Sequence, residues 1–215
     1  MVADDGERNG DQGVKRRVQA LIGAALMLGA ASAAHADQFS NGLAAAGVHD
    51  YATALQIWRP LANEGSADAQ NALGVLYDNG FGVTPDQAAA AAWFKKSADQ
   101  GLALGEYDLA NCYNFGRGVP KSDTLAAFWY RRAADQGIPQ AQFNLGLMYA
   151  NARSMPHDLV QAYVWLSLAA NRTPAASPDH KSAIKARDDV ALTMSTEQVA
   201  EAERLADEWQ PKAAQ

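Results

Sequence analysis

The chain has 215 residues, 48% of them hydrophobic and 8% aromatic, and a formal net charge of -6. That composition excludes disorder and can fill one or two cores. An acidic chain without a basic stripe argues against nucleic acid or an anionic membrane surface as partner, and a single cysteine, Cys112, excludes an internal disulfide.

Residues 15–36 carry the three parts of an export signal: basic Lys15-Arg16-Arg17, an apolar stretch from Ala20 to Ala31, and a small-x-small cleavage site, Ala34-His35-Ala36. Residues 1–36 therefore read as a signal peptide, with Asp37 as the mature start and a periplasmic or secreted destination. The competing reading is a membrane anchor, but the apolar run falls short of the ~20 residues that span a bilayer, so no membrane insertion is expected after cleavage. The acidic stretch from Val2 to Gly13 is unusual ahead of a signal and suggests a true translation start at Val14. Removing residues 1–36 deletes four basic residues (Arg8, Lys15, Arg16, Arg17) and four acidic ones (Asp4, Asp5, Glu7, Asp11), so the mature charge stays at -6.

Residues 37–64 resemble a degenerate helical hairpin, with helices over Leu43–Val48 and Tyr51–Ala62 and with Trp58 and Pro60 near the end of the second. From there the chain follows a 36-residue ruler on which Gly65, Gly101 and Gly137 fall in step, as do Tyr77, Tyr113 and Tyr149, and Trp93, Trp129 and Trp165. A period of this size belongs to stacked helix pairs. The units are 65–100, 101–136 and 137–172.

In the first unit, helix A is predicted from Ala67 to Asn79, the link at Gly80-Phe81-Gly82-Val83, and helix B from Pro85 to Asp99. Ala69, Leu73, Leu76 and Tyr77 form one apolar face at helical spacing. Its equivalents are Gly105, Leu109, Cys112 and Tyr113, then Ala141, Leu145, Met148 and Tyr149, which makes Cys112 a small buried hydrophobe. Gly74, Ala110 and Gly146 let a neighbour come close. Helix B offers Ala90, Trp93, Phe94 and Ala98, repeated at Ala126, Trp129, Tyr130 and Ala134 and at Ala162, Trp165, Leu166 and Ala170, with the three tryptophans read as core rings. Lys95-Lys96 and Arg131-Arg132 are expected to extend into solvent over those rings.

Proline and carboxylate are expected at the starts of the B helices, and Gly65, Gly101 and Gly137 in left-handed caps at their ends. The third unit has Ala152 and Ser154 in place of both link glycines, so its link is expected to take another path. Residues 173–215 read as capping helices, one from Ser177-Pro178-Asp179 to about Met194 and one opened by the capping box Ser195/Gln198.

Leu73-Gly74-Val75-Leu76-Tyr77, Gly80-x-Gly82-Val83 and Ala92-Trp93-Phe94-Lys95-Lys96-Ser97-Ala98-Asp99-Gln100-Gly101 together resemble the Sel-1-like repeat, a relative of the tetratricopeptide repeats. The second unit, with Gly116-Arg117-Gly118-Val119-Pro120 and Trp129 to Gly137, resembles it more closely still. The resemblance implies an all-α solenoid of antiparallel helix hairpins that acts through assembly contacts, with helix A lining the concave face.

Repeat-locked positions read as core, so a binding surface is sought in the variable stripe of helix A. That stripe is Asp68, Asn71, Val75 and Asp78, then Leu104, Tyr107, Asn111 and Asn114, then Gln140, Phe143, Leu147 and Ala150. Tyr107 and Phe143 combine with amides as peptide-binding anchors do, or else pack against adjacent helices. The expected function is an exported, non-catalytic scaffold or adaptor that binds a peptide segment or cell-envelope protein, with no cofactor. Self-association through the open ends of the stack is a further possibility.

The rival is a cell-wall-active or β-lactam-interacting enzyme, since some exported members of the resembled family are linked to penicillin binding and β-lactam hydrolysis. Those members are typically rich in paired cysteines, which this chain lacks. Ser182-Ala183-Ile184-Lys185 fits S-x-x-K but has no S-D-N or K-T-G companion. Gly80-x-Gly82 and Gly116-x-Gly118 follow no strand and read as turns rather than phosphate cradles. His49, His157 and His180 have no second ligand at metal spacing.

Overall fold

A computed structural model describes residues 33–213, which form ten α-helices and, among the described residues, no strand. In chain order these are α1 (Ala33–Gly47), α2 (Tyr51–Asn63), α3 (Ala67–Asn79), α4 (Gln87–Asp99), α5 (Ala103–Phe115), α6 (Asp123–Asp135), α7 (Pro139–Ala150), α8 (Leu159–Asn171), α9 (Pro178–Ala191) and α10 (Thr196–Glu208). Most of the expected export signal lies outside the described residues. The expected cleavage site, Ala34-His35-Ala36, falls inside α1.

Most helix starts are set by short polar side chains; α5 and α7 follow Leu102 and Ile138 without a side-chain cap, and α7 and α9 open on Pro139 and Pro178. The side chains of Ser66, Asp86, Ser122, Asp158 and Ser177 each accept a backbone N–H three residues on, satisfying a donor that the first turn leaves open. Pro85, Pro120 and Pro156 lie ahead of these caps, so the predicted proline-led starts shift inward. The capping box of α10 is present, with Ser195 and Gln198 bonded reciprocally.

The chain divides after Gln100 into two compact units. In the first, α1 packs on α2, α2 on α3 and α3 on α4. Trp58 is 1% exposed and donates its indole N–H to the Phe39 carbonyl at 3.2 Å. Phe94 is equally buried, and a methyl added at Gly74 would overlap its ring. In the second unit, α5 packs on α6, α6 on α7 and α7 on α8, while α9 and α10 both pack on α8. One apolar cluster runs through it and includes Ala110, Tyr130, Leu145, Met148, Trp165, Leu166 and Ala202.

Two expectations need correction. The fully buried member of each aromatic pair is the later one: Phe94, Tyr130 and Leu166 are at most 1% exposed, whereas Trp93 and Trp129 are only half-buried and Trp165 alone of the three tryptophans is buried. The B helix turns Phe94 and Tyr130 inward, so the preceding ring lies at its edge, where Lys96 sits 3.9 Å from Trp93 and Arg132 5.4 Å from Trp129.

The third link shares the left-handed turn of the others, although α7 ends one ruler position earlier, at Ala150 with Asn151 as its cap. Gly80 and Gly82 have φ of 71° and 66°, Gly116 and Gly118 71° and 68°, and Ala152 and Ser154 51° and 61°. The bond from Phe81 N–H to Leu76 O recurs from Arg117 to Cys112 and from Arg153 to Met148, each at 2.9 Å. Side-chain contacts offset the strain: Arg153 donates to Asp123 Oδ1 at 2.6 Å and to Asn114 Oδ1 at 2.9 Å, and Ser154 Oγ lies 2.6 Å from Thr124 Oγ1. Gly65, Gly101 and Gly137 have positive φ, as expected of helix ends.

A left-handed conformation costs an L-residue ~1–2 kcal/mol, against ~0.5–1 kcal/mol of extra backbone entropy for glycine. Ala152→Gly is therefore expected to raise unfolding free energy by about 0.5–1 kcal/mol in urea titration. Ser154→Gly should gain less, because it also deletes the Thr124 contact. Destabilisation by Ala152→Gly would contradict this account of the link.

Candidate partner-binding face

The variable stripe of helix A divides by burial. In the first unit Asn71 is 1% and Val75 3% exposed, so neither offers surface to a partner, while Asp68 and Asp78 are half-buried. Burial pushes the Asp68 carboxyl above its ordinary value, partly opposed by a bond to its own backbone N–H. In the second unit Asn111 is 3% exposed and accepts the Tyr130 hydroxyl at 2.6 Å, so it too is withdrawn. Burial raises the Tyr130 phenol, which stays a neutral donor.

The stripe residues that remain accessible in the second unit are Leu104, Tyr107, Asn114, Phe143, Leu147 and Ala150, all half-buried, and Gln140, exposed. Asn114 is held by Arg153. Tyr107 lies 6.0 Å from the Tyr130 ring, and Phe143 packs against both Leu145-Leu166-type core and the Ala169-Ala170-Ala183 group. Both rings therefore pack internally on one side and keep an exposed edge. Size explains the contrast with Asn71, which holds the same ruler position but is too short to emerge.

Sequence reading missed a buried polar ladder at another fixed position, Gln70, Glu106 and Gln142, which are 5%, 0% and 0% exposed. Gln70 donates to Ala62 O at 3.0 Å and accepts from Gln100 at 2.8 Å; Gln142 donates to Ala134 O at 3.1 Å. Each thus satisfies a carbonyl at the end of the preceding helix. Glu106 has no donor and instead accepts from Arg132 Nε at 2.6 Å and Gln136 Nε2 at 2.8 Å, while Gln136 also donates to Gly101 O at 3.0 Å. The signal was available: a polar residue recurs every 36 positions between core residues. Arg131 and Arg132 are likewise half-buried, not free over solvent. Arg131 bonds the Tyr149 hydroxyl and lies 5.0 Å from the Trp165 ring.

The Ser182/Lys185 pair on α9 is not arranged as nucleophile and base. Ser182 Oγ donates to Pro178 O at 2.9 Å and Lys185 Nζ is paired with Asp189 at 2.6 Å. No group of His, Cys, Asp and Glu able to hold a metal occurs among the described residues, and none of their helices is long and apolar enough to cross a membrane.

Desolvation pushes the Glu106 carboxyl above its ordinary 4.5, and the Arg132 and Gln136 bonds reverse only part of that. A raised folded-state pKa means that its contribution to stability is full below about pH 4.5 and is lost as pH climbs through the raised value. Glu106→Gln, which matches its ruler-mates, escapes that loss. Its stability relative to wild type should shift in the variant's favour between pH 4 and pH 7, and Glu106→Ala, which removes the same titrating group, should cost about 2–3 kcal/mol at pH 4 and less at pH 7. Urea midpoints at the two pH values check this, and a wild-type-to-Gln difference independent of pH contradicts it.

The Sel1 repeat family matches the chain three times in tandem, at residues 67–102, 103–138 and 139–173. Among solved structures, a Sel1 repeat protein from Oxalobacter formigenes is similar over 78% of this chain and 74% of that one, with 23% identity and a TM-score of 0.61. A protective antigen of uropathogenic Escherichia coli strains, displaying an SLR fold, is similar over 80% of this chain at 27% identity and a TM-score of 0.53, and this chain spans only 44% of its length. No curated protein matches. With three tandem matches and the fold of those structures, an all-α array of helical hairpins, the chain is a Sel1-repeat protein.

Proposed function

We propose that this protein is an exported scaffold that binds a peptide segment or a cell-envelope protein on the helix-A face of its second unit. Sel1-repeat proteins are generally protein-interaction scaffolds, typically without catalysis. The observation that carries the finer reading is the pairing of two rings with exposed edges, Tyr107 on α5 and Phe143 on α7, at one ruler position, with exposed Gln140 and half-buried Leu104 and Leu147 beside them. Half-buried aromatics held from behind are pre-organised anchors, since their rotamers are already restricted before a partner arrives. The basic, apolar and small-residue segments of residues 15–36 support an export signal and hence a periplasmic or secreted site of action.

Selection of ligands from a displayed peptide library tests the face. Tyr107→Ala and Phe143→Ala should each weaken a selected peptide at least tenfold. Their own folding cost should stay at about 1–2 kcal/mol, less than a fully buried ring would lose. Peptide affinity unchanged in both variants would overturn the assignment. Sequencing the amino terminus of protein from the envelope fraction should find Asp37; a chain that retains residues 15–36 in the cytoplasm would refute export.

A further inference from the structure

Arg172 breaks the buried polar ladder at its third rung. In the first two rungs a glutamine closes the ladder from the end of the B helix: Gln100 Nε2 lies 2.8 Å from Gln70 Oε1, and Gln136 Nε2 lies 2.8 Å from Glu106 Oε2 and 3.0 Å from Gly101 O. At the third the ruler places Arg172, yet Gln142 Oε1 is buried without a partner, and the guanidinium is turned onto the Trp209 ring, 4.3 Å from its centre. A buried acceptor left open and a cation seated on a half-buried indole are terms of similar size. Arg172 therefore has two places of comparable free energy. Reach is no obstacle, because Arg172 is exposed, is longer than glutamine, and holds its Nε 3.8 Å from where a side chain on Gly137 would begin. Gly137 is the ruler-mate of Gly101.

The Trp209 ring belongs to a short segment, Trp209–Lys212, that leaves α10 and crosses to the end of α6. Trp209 Cη2 and Pro211 Cγ stand 3.7 and 3.9 Å from the same Gly137 position. Lys212 donates its backbone N–H to Asp135 O at 2.8 Å and pairs its Nζ with Asp135 Oδ2 at 3.1 Å. Gln210, Pro211 and Lys212 are otherwise exposed, and so slight an attachment puts a segment at the low end of local stability. Next to the ring, Trp165 is 3% exposed, meets Trp209 at 6.2 Å and has its indole N–H buried without a partner. The closed segment thus leaves one buried acceptor and one buried donor unsatisfied.

We propose that Trp209–Lys212 is a strap poised to open, with Arg172 exchanging partners: the Trp209 ring when the strap is closed, Gln142 Oε1 when it is open. Opening gives up the cation–ring contact and the Lys212 bonds, completes the third rung of the ladder, and lets water reach the Trp165 indole N–H. The hairpin itself is not disturbed, since the Leu166 side chain that fills the space beside Gly146 takes no part. The device therefore governs access to Trp165 without unfolding a repeat. The first two rungs, closed by glutamine, have no such second arrangement.

Hydrogen exchange of backbone amides and of the arginine side chain, read by NMR on the full chain, tests the exchange of partners. Arg172→Gln installs the residue of the other two rungs, and should speed exchange of the Lys212 amide at least about tenfold while α7 and α8 keep their protection. Trp209→Ala should free the Lys212 amide in the same way. It should also slow exchange of the Arg172 Nε–H, which then bonds Gln142, an effect that mere loss of packing does not produce. An unchanged Lys212 rate in Arg172→Gln overturns the proposal, as does an Arg172 Nε–H that exchanges no more slowly in Trp209→Ala. Loss of protection across α7 and α8 together with the strap in Arg172→Gln overturns it too, since Arg172 would then support the hairpin rather than the strap.

Discussion

Each hairpin depends on a large side chain from its second helix entering the space left by a small residue on its first. Phe94 lies where a side chain on Gly74 would be, and Leu166 Cγ would be 2.8 Å from a methyl on Gly146. Tyr130 and Ala110 belong to one cluster in the middle repeat, and in the first hairpin Trp58 occupies the place of a side chain on Gly42. Such interlocking fixes how closely two helices approach and the angle at which they cross. With that contact in place, the rotation of every B helix is set. One flank then carries the inward alanines and the other carries whatever the repeat turns toward solvent.

This dependence explains what was legible in the sequence. The 36-residue period gave helix A of the first repeat its observed limits, Ala67–Asn79, because the start is a serine cap and the end a left-handed glycine, both visible as letters. Less legible was which ring of Trp93-Phe94 or Trp129-Tyr130 points inward. Adjacent residues are equally regular on a ruler, and only the small partner across the hairpin distinguishes them. The third link was misread for a different reason. Two glycines mark the path in the first two links, yet neighbours can hold Ala152 and Ser154 in the same conformation once Arg153 bridges Asp123 and Asn114.

The binding stripe was legible only in part, because variable is not the same as exposed. Asn111 varies from Val75 and Leu147 at its ruler position, yet it is buried. Its change accompanies another, Tyr130 in place of Phe94 and Leu166, and the two polar substituents satisfy each other at 2.6 Å. A hydroxyl added to a core ring must find a partner or cost ~1–3 kcal/mol, so the two changes belong together. The same logic governs Gln142. Its Nε2 is bonded but its Oε1 is buried without a partner, because Arg172, standing where Gln100 and Gln136 stand in the other repeats, lies instead 4.3 Å from the Trp209 ring.

A repeat array can acquire function only at ruler positions that the interlock leaves free, and in the second unit there are two such sets. One is the helix-A position shared by Tyr107 and Phe143, where growth from the size of Asn71 pushes a ring past the core without disturbing it. The other is the helix-B position held by Phe128, whose equivalents are an exposed alanine in one repeat and a covered valine in the next. Terminal repeats need a polar cover over their last apolar face, and α10 meets that need for Val164, Trp165 and Leu168. Nothing in the architecture of the middle repeat requires a phenylalanine there.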